Sequence, residues 1–509
     1  MKEYYDVVVV GAQPPALLSA ALLANRGFRV LVLEHDTPPP TYEAGRFTLP
    51  RAPFSFLARH SPHARQALSE LALLPTLRQR TPATDPLLQI STPGHRFDIP
   101  TTREGLLREV SREFEDTAAA IMDVEDALKD ASVALGTALD ATHLWPPAGY
   151  FGTRAFARRL RASQLDPVTA HDPFSALRPD HPYRAAILAP ARFASFTDPD
   201  RMPLLQLARL HSAWRDGLAR FADGEVDFRR LLVERITAHG GNVRSGERVE
   251  RILTRRNRAY AVRTVAHTDE LGAEHVILGT DVGSALRLFV DRAPIEQLFE
   301  DAGEPQPRYF RYTLNLVVRP EAIPDAMAPN VFHVRDPNRP LVSENALRIE
   351  MGDVEGSDAK RLTVEALVPR RGIEEVAGFV TGLRDRVVAS LGELLPFLGR
   401  HTIFIDSPHD GRDAQDLELG EAVPPRDPWA RGPTSMTPLT RFARRHGAEL
   451  CALPVQTPLR NVLLANSQVV PGLGMEGDFV TALAAAARVE GADRRRRWVR
   501  RTRWIEPAT

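Results

Sequence analysis

The run Val7-Val8-Val9-Val10-Gly11 constrains this chain more than any other stretch: four consecutive β-branched residues closed by a glycine. With no polar position to face water, the run predicts a parallel strand covered on both sides. Pro14 and Pro15 are compatible only with the first turn of a helix, Ala16 to Arg26 carries apolar residues at helical spacing, and Gly27 suits a C-cap. Arg29-Val30-Leu31-Val32-Leu33-Glu34 then supplies a second buried strand. Strand, helix and strand within about 30 residues predict a right-handed βαβ unit.

The chain has 509 residues, room for about three units of ~150 residues or for one large enzyme. Lys+Arg and Asp+Glu are both 65, so the balance excludes a nucleic-acid binder at the level of the whole chain. A single cysteine, Cys451, excludes an intramolecular disulfide framework and any zinc or iron–sulfur site built from cysteines. Met1 to Asp6 lacks the charged-then-apolar order of a signal peptide, and no run approaches the ~18 apolar residues of a membrane span. A cytoplasmic protein, soluble or at most peripheral to the inner face of a membrane, is the expectation.

Downstream, Thr101 to Ala141 reads as largely helical until Trp145-Pro146-Pro147, and residues 165–203 as proline-rich wrapping without regular elements. Helical pattern resumes at Leu204. A helix through Leu231 to Ala238, the turn Gly240-Gly241-Asn242, and strands at Val249 to Leu253 and Val276 to Leu278 read as more of a nucleotide-binding sheet. Alternating runs between Tyr309 and Val368 predict an antiparallel sheet forming a separate layer. Asn461 to Ala465 makes a short strand, and the glycine loop Pro471 to Gly477 leads into a helix, Asp478 to Val489.

A dinucleotide-binding turn places glycine at its first, third and sixth positions, for the tight turn, the approach of backbone to pyrophosphate, and helix packing. Here those positions hold Gly11, Gln13 and Ala16. Glutamine puts a side chain where the phosphate approaches, and neither Pro14 nor Pro15 has an N–H to offer an anion. Glu34, 23 residues past Gly11, stands where an acid grips a ribose diol.

These pieces, in this order, resemble the flavin-dependent phytoene desaturase and amine oxidase superfamily. The matching segments are Asp6 to Glu34, Gly240 through Val249 and Ile252 to Ile277, and Asn461 to Val489. The resemblance implies an α/β fold: a Rossmann-like FAD-binding domain with a parallel sheet, interrupted by an α+β substrate domain with an antiparallel sheet. Residues 1–85, 225–300 and 446–490 would form the FAD domain, 86–224 and 301–445 the substrate domain, and 491–509 an Arg/Trp-rich tail. It further implies Gly11 and Ala16 beside the pyrophosphate, Gln13 intruding there, Glu34 on the adenosine ribose, and the Val249 backbone on adenine. Asn466, where the family carries an acid, would hydrogen-bond a ribityl hydroxyl. Gly472, Gly474, Met475 and Glu476 would present backbone N–H groups to the flavin ring.

Other family features are reduced. The Arg-x-Gly-Gly motif survives at best as Ala44-Gly45-Arg46, and none of the three lysines stands where amine-oxidising members hold a water. The resemblance therefore implies dehydrogenation of a lipophilic small molecule, with hydride passing to FAD and no catalytic acid or base nameable. The losses at Gln13, Pro15, Ala465 and Asn466 together motivate the alternative, a cofactor-free relative that keeps the fold for binding or scaffolding. Cys451 reads as a small buried hydrophobe, with covalent flavin attachment the alternative. The segment Asp406 to Asp413 reads as a solvated turn rather than a metal site, and the absence of His-Glu-x-x-His, Gly-x-Ser-x-Gly and phosphate-loop motifs leaves hydrolase and NTPase readings without support. Arg494 to Arg503, interleaved with Trp498 and Trp504, fits a solvated terminus, an acidic partner or an anionic membrane surface.

Overall fold

The computed structural model describes residues 3–139, 146–147, 149–162, 172–266, 270–425, 428–429 and 432–492. Residues 493–509 of the Arg/Trp tail and Trp145 lie outside the described residues. The β-branched run forms strand β1 (Tyr4–Val10), helix α1 follows (Pro14–Asn25), and β2 (Val30–Leu33) lies parallel to β1, with Val8 beside Leu31. Val7 to Val10 are completely buried, as four adjacent apolar residues require.

Strand β1 also pairs in parallel with Glu270–Leu278, Val8 beside Val276, and that strand in turn pairs with Val462–Leu464, Val276 beside Val462. Three segments distant in sequence thus meet in one sheet. Asn242–Arg244 extends it beyond β2, and the antiparallel pair Val249–Arg255 and Arg258–Thr264 extends it on the other side. Helix α1 packs against Glu225–Ala238 and Met475–Ala492. The last of these begins at Met475, three residues earlier than the sequence predicts, so Met475 and Glu476 belong to a first helical turn. Gly477 permits that start, because a Cβ there would sit 2.0 Å from the Val470 carbonyl oxygen.

The second sheet, ten-stranded among the described residues, centres on Gln306–Val318, flanked by Lys360–Pro369 and Thr402–Asp406. Alternation divides its faces. Tyr312, Leu314 and Leu316 pack with Leu362, Val364 and Leu383 of the covering helix Phe379–Leu394, while Arg311, Thr313 and Asn315 face the opposite way. The hairpin Leu88–Thr92 and His95–Ile99 joins this sheet through a parallel pairing with Asn330–Val334.

Two sequence expectations are corrected. Residues 165–203 are not irregular throughout: Pro182–Ala194 is a helix, with Pro182 in its first turn and the His181 Nδ1 accepting the Tyr183 N–H at 3.1 Å. Pro190 lies within it, its carbonyl accepting the Trp214 indole N–H at 2.7 Å. The segment after Thr402–Asp406 is not a solvated turn either, because Asp406, Ser407, His409 and Asp410 are all buried.

Asn461 stitches the first sheet together. Its Oδ1 accepts the Ala259 N–H at 2.9 Å, and its Nδ2 donates to the Ala259 and Glu274 carbonyls at 2.7 and 2.6 Å. Asn461→Ala leaves buried backbone groups unpaired, and urea unfolding is expected to show a loss of about 3 kcal/mol.

Candidate functional site

The residues singled out for a dinucleotide do converge at the carboxyl edge of the parallel sheet, the usual ligand crevice of such sheets. Gly11 adopts φ +97°, and a Cβ on it would lie 2.7 Å from Gly279 C and Thr280 N. The close approach that glycine allows is therefore an approach of protein to protein. The Gly11 N–H donates to the Leu33 carbonyl at 2.8 Å, and the Ala12 N–H donates to Thr37 Oγ1 at 2.9 Å. At the start of α1, Pro14 and Pro15 have no N–H, and the Ala16 and Leu17 N–H groups both donate to the Gln13 carbonyl at 3.0 and 3.1 Å. Of the donors that make a helix start receptive to anions, two are missing and a third, the Ala16 N–H, is engaged, while the Leu17 bond is the first intrahelical one.

The ribose and adenine positions are engaged as well. Glu34 Oε2 accepts the Gly246 N–H at 3.0 Å. His35, buried and held in left-handed backbone at φ 52°, accepts the Val249 N–H on Nδ1 at 3.1 Å, while Nε2 lies 3.4 Å from Asp36 Oδ2. Burial lowers the His35 pKa, which keeps the ring neutral and Nδ1 available as an acceptor. The backbone contact expected for adenine is thus made by an imidazole.

The closing motif lies against the same edge. Asn466, fully buried, donates to the Thr280 carbonyl at 2.7 Å and accepts the Gln468 N–H at 3.1 Å. A Cβ on Gly472 would meet Leu450 Cα at 2.7 Å, and one on Gly474 would meet the Ala194 carbonyl at 2.6 Å. Met475 Sδ accepts the Leu57 N–H at 3.3 Å. Glu476 takes two bonds from Arg209, Nε at 2.6 Å and Nη2 at 2.7 Å, and one from the Ser61 hydroxyl at 2.7 Å. Burial by itself would raise this carboxyl, but the Arg209 guanidinium outweighs it and holds Glu476 well below the usual carboxylate range. Asp478, two residues on, has no such cation: burial, outweighing a hydrogen bond from Ser467 and helped by the Glu225 carboxylate, raises it to about 8, and its Oδ1 has no hydrogen-bond partner.

A dinucleotide therefore does not fit these residues as they stand. Gly11, Ala12, Ala16, Val249, Asn466, Gly472 and Gly474 are all covered by protein atoms, and the backbone donors at Ala12 and Val249 are spent. Ala44-Gly45-Arg46 offers no substitute, since Arg46 turns to Glu418 at 2.6 Å and Asp416 at 3.3 Å on the edge of the antiparallel sheet.

The face of that sheet opposite its covering helix carries a charge network. Arg311 Nη1 meets Glu365 Oε1 at 2.7 Å, and Arg348 lies 3.4 Å from Glu365, 3.3 Å from Glu350 and 3.0 Å from the Ser55 hydroxyl. Trp214 stacks against Arg348, 5.2 Å from ring centroid to Cζ. Arg311 also donates to the Phe193 and Ser195 carbonyls at 2.9 and 2.7 Å. Asp410 is likewise neutralised by Arg384 at 2.7 and 2.8 Å, and Tyr42 donates to Asp406 at 2.8 Å. Among the described residues no group of three His, Cys, Asp or Glu side chains is placed to hold a metal ion. Cys451 is fully buried, and burial pushes its thiol pKa up, as for a small hydrophobe.

Sequence reasoning missed Thr37, His35, Arg209 and the Arg311, Arg348, Glu365 group. A lone cation among Leu205, Leu207, Ala208 and Leu210 is a signal that Arg209 needs a buried partner. Nothing local marks Thr37 as the acceptor for Ala12, 25 residues away.

Neither a protein-family model nor a curated protein sequence matches the chain. Among solved structures, it is similar to an oxidoreductase from Methanosarcina mazei, with 14% identity and TM-score 0.56 over 94% of this chain and 99% of that one. Wild-type putrescine oxidase bound to putrescine has 15% identity and TM-score 0.57 over 96% and 98% of the two chains. Cyclohexylamine oxidase from Brevibacterium oxydans IH-35A has 15% identity and TM-score 0.55 over 96% and 100%. The likeness runs along nearly the whole chain, which therefore has the fold of these oxidases and of this oxidoreductase.

Two carboxyls of one helix predict opposite behaviour. Glu476→Gln breaks a buried ion pair and is expected to cost about 3–5 kcal/mol in chemical unfolding at neutral pH. Asp478 keeps its proton in the folded chain up to about pH 8, whereas an unfolded carboxyl releases it near 4. The folded state binds the extra proton across that window, so this group makes stability fall from about pH 4 to about pH 8. Asp478→Asn should flatten that slope and be the more stable protein at pH 8, by about 1 kcal/mol or more, in denaturation measured across the range.

Proposed function

We propose that this chain keeps the frame of a flavin-dependent oxidoreductase and works without the dinucleotide, as a binding module whose cofactor crevice is filled by its own side chains. The observation that carries this reading is the internal capping of the crevice, Thr37 on the Ala12 N–H and His35 on the Val249 N–H. A diphosphate entering there would exchange satisfied hydrogen bonds for new ones, and would set its charge beside a helix start with two prolines in place of donors. The net gain that makes such turns hold nucleotides is absent.

The fold itself favours a second reading, an FAD-dependent oxidoreductase. It requires Thr37 and His35 to leave their present partners. For a desaturase-like enzyme it also requires a lipophilic substrate to lie against the antiparallel sheet, where the inner face now carries Arg311, Arg348, Glu350 and Glu365. Separating those buried charges to admit an apolar molecule is costly, so a lipophilic substrate has little support from the packing.

The full-length protein is expected to purify colourless and to leave the fluorescence of added FAD unchanged. Gln13→Gly should behave in the same way, because it clears a side chain while the Ala12 and Val249 donors stay capped. Yellow protein that releases FAD on denaturation, or saturable uptake of FAD by the unmodified chain, would establish the flavoenzyme reading instead.

A further inference from the structure

A cavity of about 430 Å³ opens between residues 197–201 and residues 440–449. None of the residues assigned to the dinucleotide lines it. We propose that it binds a small soluble polyanion, a molecule carrying a diphosphate or two neighbouring phosphates. The inference stands on different residues from the reading of the crevice and holds whichever way that reading is decided.

The charges that line the cavity do not cancel. Arg201, Arg441, Arg444 and Arg445 face two carboxylates, Asp198 and Glu449. Asp198 is consumed: Arg441 Nε holds its Oδ2 at 2.5 Å, with Nη2 on the same oxygen, and its Oδ1 accepts the Asp200 N–H at 3.1 Å. Glu449 is mostly exposed and lies 3.5 Å from Arg445. Among the described residues neither Arg201 nor Arg444 forms an ion pair, so two guanidinium groups remain unneutralised at the mouth of the cavity.

The floor is built rather than incidental. Arg445, only 10% exposed, donates to Gln206 Oε1 at 2.9 Å and to the Arg201 carbonyl at 3.0 Å. Gln206 is fully buried and spends its Nε2 on Ser195 Oγ at 3.1 Å and Thr197 Oγ1 at 3.0 Å. The Asp198 N–H donates to the Thr440 carbonyl at 3.2 Å, fixing one wall to the other. Burial disfavours the charged form of Arg445. A chain that keeps a guanidinium in such a place gains when an anion arrives to share it. The planar donor fork of arginine matches phosphate oxygens two at a time, and the volume suits a small organic phosphate rather than a single ion.

The test uses the full-length protein and inorganic diphosphate, by calorimetric titration and by thermal shift at low and physiological salt. Saturable binding is expected, weakening as salt rises and falling about tenfold or more in the Arg201→Ala, Arg444→Ala double variant, whose replaced side chains are exposed. Circular dichroism confirms that the variant is folded. No binding of diphosphate, equal affinity in the variant, or equal affinity for sulfate would overturn the proposal. So would binding to vesicles containing phosphatidic acid without binding to diphosphate, which would assign the arginines to a lipid surface. FAD fluorescence recorded on the same samples separates this outcome from that of the crevice, since either site can fail alone.

Discussion

Backbone N–H groups at the carboxyl edge of a parallel sheet must be satisfied by something, and in this chain the protein satisfies them itself. Thr37 and His35 leave the end of β2 and turn back over the Ala12 and Val249 amides. Because the crevice is closed from within, Gly11 packs on Gly279, Asn466 bonds to Thr280, and the second and third segments of the nucleotide-type domain are drawn against the first. Positions that hold a cofactor in an open crevice here hold the protein together.

Closure has a counterpart in the buried charges. Glu476 and Arg209 tie the last helix to the segment Leu204–Asp216, and Arg311 and Arg348 tie the antiparallel sheet to Ser55 and to the end of Pro182–Ala194. Each charge is matched at hydrogen-bonding distance, which is the condition under which ions are tolerated away from water. Such a network specifies one arrangement of the two layers more sharply than apolar contact does, since a slip would strand charges. No helix of the described residues is long and apolar enough to cross a membrane.

Much of the frame was legible. Val7 to Val10 could be only a doubly covered strand, and the segments at Val276 and Val462 carry the same signature, so the sheet formed from three separated pieces follows from local pattern. The alternation from Tyr309 to Val368 exposed the antiparallel layer for the same reason. Pro182 and Pro190 hid a helix, because proline signals a break although it is accommodated in a first turn and, at a cost, further along. The acids from Asp406 to Asp410 read as a wet turn because their neutralising cation, Arg384, lies more than twenty residues away.

The sequence by itself determined the layers of this protein and the absence of two N–H donors at the start of its first helix, Pro14 and Pro15, since periodicity and the missing N–H of proline are properties of neighbouring residues. Only the tertiary structure decided that the crevice is capped by Thr37 and His35 and that two arginines, Arg201 and Arg444, stand without an ion pair among the described residues beside a cavity elsewhere. Hydrogen bonds such as Thr37 to Ala12 and His35 to Val249 join residues 25 and 214 positions apart, and a charge is balanced or unbalanced only by what folding brings beside it.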